Sequence, residues 1–234
     1  TLGCPGLPIT YDITVNPLPV ATFTTPVNQC LTGNSFNFTN TGSTYAGLSY
    51  AWNFGGGGAA PATSSTSNQA GVTYTTAGTY TVSLTVSFGT CVANVTHDIT
   101  VNPMPLPTAF ADSVLCNGDA TGSATINLPI TDGTAPYTYS IAPGGATLNP
   151  ATGLTAGTYV ITVTDVNLCP ADVNVTVFEP VILTASETHI DPTCFGFADG
   201  TATANGIDGT ASYTYSWNTV PVQTTQTATG LIAG

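Results

Sequence analysis

The 234-residue chain has no lysine and no arginine, against twelve aspartates and glutamates, and only 5% of its residues are charged. Soluble domains carry about 25%. Without cations nothing can clamp a phosphate, which argues against nucleic acid as a partner. Conventional ion pairs are missing too, apart from any that the two histidines make when protonated. Trypsin-like proteases find no bond to cut. No apolar run reaches the 18 or so residues of a membrane span, so direct membrane insertion is not expected. Apolar residues nowhere keep the helical spacing of three and four for more than a turn. There is no C-x-x-C and no histidine beside a cysteine, which argues against zinc. No basic segment followed by an apolar core opens the chain, so no signal peptide is read. The chain reads as an excerpt from, or the mature part of, something larger.

What is present is glycine, proline, hydroxyl residues and short alternating runs. In Tyr80-Thr81-Val82-Ser83-Leu84-Thr85-Val86 apolar and hydroxyl side chains alternate, the period of a strand with one wet face. Such runs, separated by Gly, Pro and Asn turns at intervals of about ten residues, predict an all-β sandwich architecture. The acids are uneven: only Asp12 and Asp98 precede residue 110.

Self-similarity divides the chain. Thr76-Ala77-Gly78-Thr79-Tyr80 recurs as Thr155-Ala156-Gly157-Thr158-Tyr159. The reading is a turn glycine that feeds a strand whose first inward residue is a tyrosine. Tyr11-Asp12-Ile13-Thr14-Val15-Asn16-Pro17 is echoed by His97-Asp98-Ile99-Thr100-Val101-Asn102-Pro103. Residues 1–17 are therefore expected to be the last strand of a preceding module, and 18–103 a complete module. Cys116-Asn117-Gly118-Asp119 is answered by Cys194-Phe195-Gly196-Phe197. Gly133-Thr134-Ala135-Pro136-Tyr137-Thr138-Tyr139-Ser140 is answered by Gly209-Thr210-Ala211-Ser212-Tyr213-Thr214-Tyr215-Ser216. These repeats set a module at 104–180 and an incomplete second copy at 181–234. The joins, Asn16-Pro17-Leu18-Pro19 and Asn102-Pro103-Met104-Pro105-Leu106-Pro107, lack N–H donors at proline and favour semi-rigid linkers.

Six cysteines allow 15 pairings, and the modules select among them. Cys30 is expected to bond Cys91, and Cys116 to bond Cys169, leaving Cys4 and Cys194 to partners outside this segment. Structural disulfides place the protein outside a reducing cytoplasm.

Two resemblances follow. Tyr50-Ala51-Trp52-Asn53-Phe54-Gly55, with Val72-Thr73-Tyr74 and the strand Tyr80 to Val86, resembles the polycystic kidney disease (PKD) domain, an immunoglobulin-like sandwich. Its usual W-x-F-G-D-G has lost the aspartate to Gly56. Residues 108 to 234 resemble the SprB repeats of Bacteroidetes surface adhesins. The carrying motifs are the paired stretches above, Ala156 to Asp165 with Cys169, and Tyr213-Thr214-Tyr215-Ser216-Trp217-Asn218. The resemblance implies tandem immunoglobulin-like modules in a large secreted adhesin, a stalk or filament in attachment and gliding, exported by the type IX pathway. Its partners would be neighbouring repeats and surface polysaccharide or glycan. Two alternatives stand beside this: a subunit of an ordered extracellular filament, and accessory modules of a secreted hydrolase.

No catalytic residue is expected. His97 and Asp98 are consecutive on a strand and point to opposite faces, so neither orients the other. His189 precedes a proline-containing linker. The Gly55 to Gly58 run has no following lysine or helix and reads as a turn, not a phosphate loop. No cofactor is expected, with calcium the one candidate. Asp119, Asp132, Asp165, Asp199 and Asp208 lie in Gly/Asn-rich turns where oxygens could converge. The alternative is solvated aspartates that bond their own turns. Asp112-Ser113-Val114 resembles a Bacteroidetes O-glycosylation site at Ser113; an unmodified exposed turn is the other reading.

Overall fold

The structure, a computed structural model, describes residues 6–13 and 15–233. All its regular elements are strands. The chain divides into two compact units.

The first unit takes in Thr1–Met104 with Asp132–Ala135 and Asp165–Cys169. Its strands are β1 (Gln29–Cys30), β2 (Phe36–Phe38), β3 (Ser49–Asn53), β4 (Thr63–Ser64), β5 (Gln69–Val72), β6 (Gly78–Phe88) and β7 (Cys91–Asn102). One sheet runs β1-β7-β6-β3-β4 and a second pairs β2 with β5. The alternation read at Tyr80–Val86 is observed: Tyr80, Val82, Leu84 and Val86 are buried, and the hydroxyl residues between them face outward. Phe36, Phe38, Trp52, Phe54, Val72, Ile99 and Val101 complete the core between the sheets. Trp52 is 2% exposed and donates its indole N–H to the Thr66 carbonyl, the core anchor expected of it. Burying such a ring removes on the order of 2–3 kcal/mol worth of apolar surface from water.

The strand expected within residues 1–17 is assigned to a preceding module, and its described residues join no sheet of this chain. Residues 6–13 and 15–17 carry no strand, and Leu7, Ile9, Tyr11, Ile13 and Val15 are exposed. A strand is stable only in a ladder with an apolar face covered, and no described strand of this chain pairs with this stretch. Cys4 lies outside the described residues.

The second unit takes in Pro105–Thr131, Pro136–Thr164 and Pro170–Gly234. Its strands are β8 (Ala109–Asp112), β9 (Gly122–Ile126), β10 (Thr138–Ala142), β11 (Ala151–Leu154), β12 (Gly157–Thr164), β13 (Pro170–Val177), β14 (Thr184–Ile190), β15 (Gly200–Ile207) and β16 (Thr227–Leu231). Two three-stranded sheets, β11-β9-β8 and β10-β12-β13, share a core of Val114, Ala124, Ile126, Ile141, Leu154, Tyr159, Ile161, Val163, Val175 and Val177. A further sheet, β14-β15-β16, buries Ala202 and Ala228 and exposes all of β14. It repeats the β8-β9-β11 order one copy later. The fold is all-β, built of tandem immunoglobulin-like sandwiches.

The repeated pentapeptide does the same work twice. Gly78 and Gly157 both take φ 154°, which a Cβ disfavours. Each launches the long strand, β6 or β12, whose tyrosine enters the core. The Tyr80 hydroxyl donates to the Thr76 carbonyl at 2.7 Å, and that of Tyr159 to the Thr155 carbonyl at 3.0 Å. The phenol thus ties its own strand to the turn that started it.

Candidate functional site

A disulfide and a buried aspartate beside it organise one polar region of the chain. Cys30 is bonded to Cys169, with Cα atoms 5.5 Å apart and a separation of 139 positions in sequence. Both belong to the first unit. This corrects the expected pairs Cys30–Cys91 and Cys116–Cys169. The reason is register. β1 runs parallel to the end of β7, with Cys30 opposite Asn102, whereas Cys91 starts β7. At about 3.3 Å per residue the two ends of β7 are about 36 Å apart, and a disulfide needs Cα atoms within about 7 Å. Likewise Val114 donates to the Phe178 carbonyl beyond the end of β13, while Cys169 precedes its first residue. Cys91, Cys116 and Cys194 are free, the last two exposed.

Cys169 is held by Asp165. This carboxylate is 3% exposed. Its Oδ1 accepts the backbone N–H groups of Asn167 and Cys169, each at 2.9 Å, and its Oδ2 accepts that of Thr134 at 2.9 Å. The Val166 N–H returns to the Thr134 carbonyl at 3.1 Å. Three backbone N–H groups thus converge on one carboxylate. Asp165 therefore shapes the turn that presents the buried Cys169 sulfur. Closing a loop of this length contributes about 5 kcal/mol in the chain-entropy account.

The other calcium candidates do not gather around it. Among the described residues no group of three or more His, Cys, Asp or Glu side chains could hold a metal ion. Asp199 accepts the N–H and the hydroxyl of Thr193, and the side-chain bond first, then the backbone one, lowers its pKa. The Asp119 N–H donates to the Cys116 carbonyl. Asp132 and Asp208 sit at positive φ, and the Asp208 carbonyl accepts the Tyr213 hydroxyl. Ser113 is exposed between β8 and the buried Val114.

His97 and Asp98 do point apart. The His97 ring meets the edge of Phe23 at 4.6 Å, and Asp98 accepts the Thr81 hydroxyl at 2.7 Å. His189 lies on exposed β14 with Glu187 at 3.2 Å and Asp191 at 3.7 Å. Gly55 to Gly58 all take positive φ, and a Cβ on Gly57 would lie 2.0 Å from the Tyr80 ring, so the run is a tight turn laid on an aromatic. Trp217 is half-buried at an isolated bridge to Gln223.

Asn34 escaped the sequence reading. It is 7% exposed; its amide donates to the carbonyls of Leu31 and Tyr74 and accepts the Tyr74 N–H at 2.7 Å. The Tyr74 hydroxyl donates to the Phe54 carbonyl, and its ring stacks on Tyr80 at 4.4 Å. Burial, and then the neighbouring Tyr80, push the Tyr74 phenol up to about 12. Asparagine is common in turns, and nothing in its local pattern separates this one from the others.

The PKD domain family model matches residues 16–103 and the SprB repeat model matches 108–146 and 186–222. No curated protein matches the chain. Solved structures with similar folds include the C-terminal 282-residue fragment of intimin in complex with the intimin-binding domain of the translocated intimin receptor. It is 12% identical at a TM-score of 0.45, over 71% of this chain and 67% of that one. An I-band fragment of titin is 10% identical at a TM-score of 0.41, over 92% and 87%. Fibronectin(III)-like modules of Clostridium thermocellum CbhA are 13% identical at 0.31, over 68% and 94%. PKD and SprB modules are typically structural and non-catalytic, and typical of extracellular and cell-surface proteins. In this order they mark an adhesin-like repeat region. Among the described residues no helix is long and apolar enough to cross a membrane.

Proposed function

Because the chain carries a PKD domain followed by SprB repeats, we propose that it is a repeat segment of a large secreted bacterial adhesin. It serves as a stalk or filament in attachment and gliding, and reaches the surface by type IX export. Neighbouring repeats are its structural partners, and surface polysaccharide its ligand. The observation that carries this reading is the succession of sandwiches whose polar side chains are spent on their own turns and ladders. Asp165, Asn34, Tyr80 and Tyr159 all bond the backbone beside them. Such a body transmits force through inter-strand hydrogen bonds, and a cystine limits how far it extends.

Deletion of these repeats from the intact protein tests the proposal. The expected result is a shorter surface projection and weaker attachment, with export unchanged. Unchanged attachment and projection length would remove the stalk role. Electron microscopy of the purified protein separates the forms: flexible strings fit a stalk, and a regular helical fibre fits an ordered filament instead.

A further inference from the structure

An asparagine followed by glycine lets a backbone nitrogen reach the preceding side chain with least hindrance, because glycine carries no Cβ. The chain holds two such pairs, Asn117-Gly118 and Asn205-Gly206, and the fold treats them differently. Asn205 and Gly206 lie inside β15, paired with Ser186 and Ala185 of β14, and a Cβ on Gly206 would lie 2.7 Å from the Tyr213 ring. Asn117 and Gly118 are exposed in the turn that the Asp119 N–H closes on the Cys116 carbonyl. Gly118 takes φ 82°, with nothing within 4 Å of where its Cβ would stand.

The segment that follows β13 runs beside this turn and makes three ties to it. The Val114 N–H donates to the Phe178 carbonyl at 3.0 Å. The Asn117 amide donates to the Pro180 carbonyl at 3.0 Å, and the Gly118 N–H to Glu179 Oε2 at 3.0 Å. The last of these sets a carboxylate on the proton that must leave before the Gly118 nitrogen can attack. A general base has to stand within about 2.6–3.2 Å of the group it deprotonates, and Glu179 does.

We propose that Asn117-Gly118 is a self-modification site at which Glu179 acts as the general base. Glu179 takes the Gly118 N–H proton, and the nitrogen attacks Asn117 Cγ to close a five-membered succinimide, an intramolecular step that needs no partner. The bond from Cγ to the amide nitrogen breaks, and that nitrogen takes up the proton and leaves as ammonia. Water then opens the ring at either carbonyl and leaves aspartate or isoaspartate at position 117. No oxidant or reductant takes part. The product has no amide hydrogen for the Pro180 carbonyl, and its carboxylate stands beside Glu179 in a chain without lysine or arginine. The ties of Asn117 and Gly118 weaken, and the connection from β13 to β14 loosens. The change runs one way, so it records the age of the folded chain. It rests on no adhesive role.

The test incubates the oxidised chain at neutral pH, folded and in urea, weighs the peptic peptides for the change from amide to acid, and scores isoaspartate by enzymatic methylation. Asn117 is expected to convert several-fold faster in the fold than in urea, and Asn205 several-fold slower. Glu179→Gln, at an exposed position, should slow Asn117 several-fold in the fold and leave its rate in urea unchanged. A folded-state rate for Asn117 no higher than its rate in urea, or an equal or faster rate in Glu179→Gln, overturns the proposal. Neither outcome depends on whether the repeats support attachment.

Discussion

Asp165 and Cys169 are locked together by a single bond type used twice: the carboxylate accepts the cysteine's own N–H at 2.9 Å, and the Asp165 N–H returns to the Cys169 carbonyl at 3.2 Å. The sulfur that reaches Cys30 is thereby aimed by an acid four residues before it.

Replacing Asp165 by asparagine keeps the size and removes acceptor capacity, because the amide nitrogen cannot accept an N–H. At least one N–H donor, from Thr134, Asn167 or the buried Cys169, loses its partner. The expected cost is about 1–3 kcal/mol in urea unfolding. A change under a few tenths would show that the three bonds are not formed in solution.

Cys30→Ser and Cys169→Ser should each destabilise the oxidised chain by roughly 2–5 kcal/mol, and the double variant by no more than either alone. Cys91→Ser should leave stability nearly unchanged, since its thiol is free. Thermal melts under oxidising conditions read all four proteins. A large loss in Cys91→Ser would restore the pairing that the register of β1 rules out.

Calcium should not matter. The Asp165 oxygens are engaged by backbone N–H groups, and the remaining candidate aspartates do not converge. Melting temperatures in calcium and in chelator are expected to coincide, and a rise of several degrees with calcium would contradict this.

Alkali should weaken the first unit through Tyr74. The Tyr74 phenol is held at about 12 in the fold by burial and by Tyr80, against about 10 when unfolded. The folded state therefore keeps a proton that the unfolded state releases. This contribution is complete below pH 10 and is lost as pH climbs through 12. Tyrosinate absorbance compared between the chain and a Tyr74→Phe variant should assign to Tyr74 an ionisation near pH 12 in the fold that falls to the ordinary range in denaturant; loss of an ionisation near pH 10 on that substitution would contradict it.

Much of the fold was legible because the strand period is local. The alternation from Tyr80 to Val86 places β6 and its buried face, and the second Ala-Gly-Thr-Tyr places β12. Trp52 was legible as a core residue for the same reason. The disulfide was not legible, since it depends on which end of β7 receives β1, and module membership carries no register. Asp165 stood out as an acid in a turn, yet whether its oxygens face a cation or N–H groups is decided by Thr134, thirty-one residues away. Leu7 to Val15 alternate as expected of a strand, and no described strand of this chain pairs with them; the ladder expected for them belongs to a preceding module.

Pulling the oxidised chain from its two ends, and again after reduction, measures the covalent frame most directly. With Cys30 bonded to Cys169, 139 positions away, reduction releases the loop between them, a gain of about 470 Å in extended length in one step. No gain, or two shorter gains from separate loops, would contradict the account.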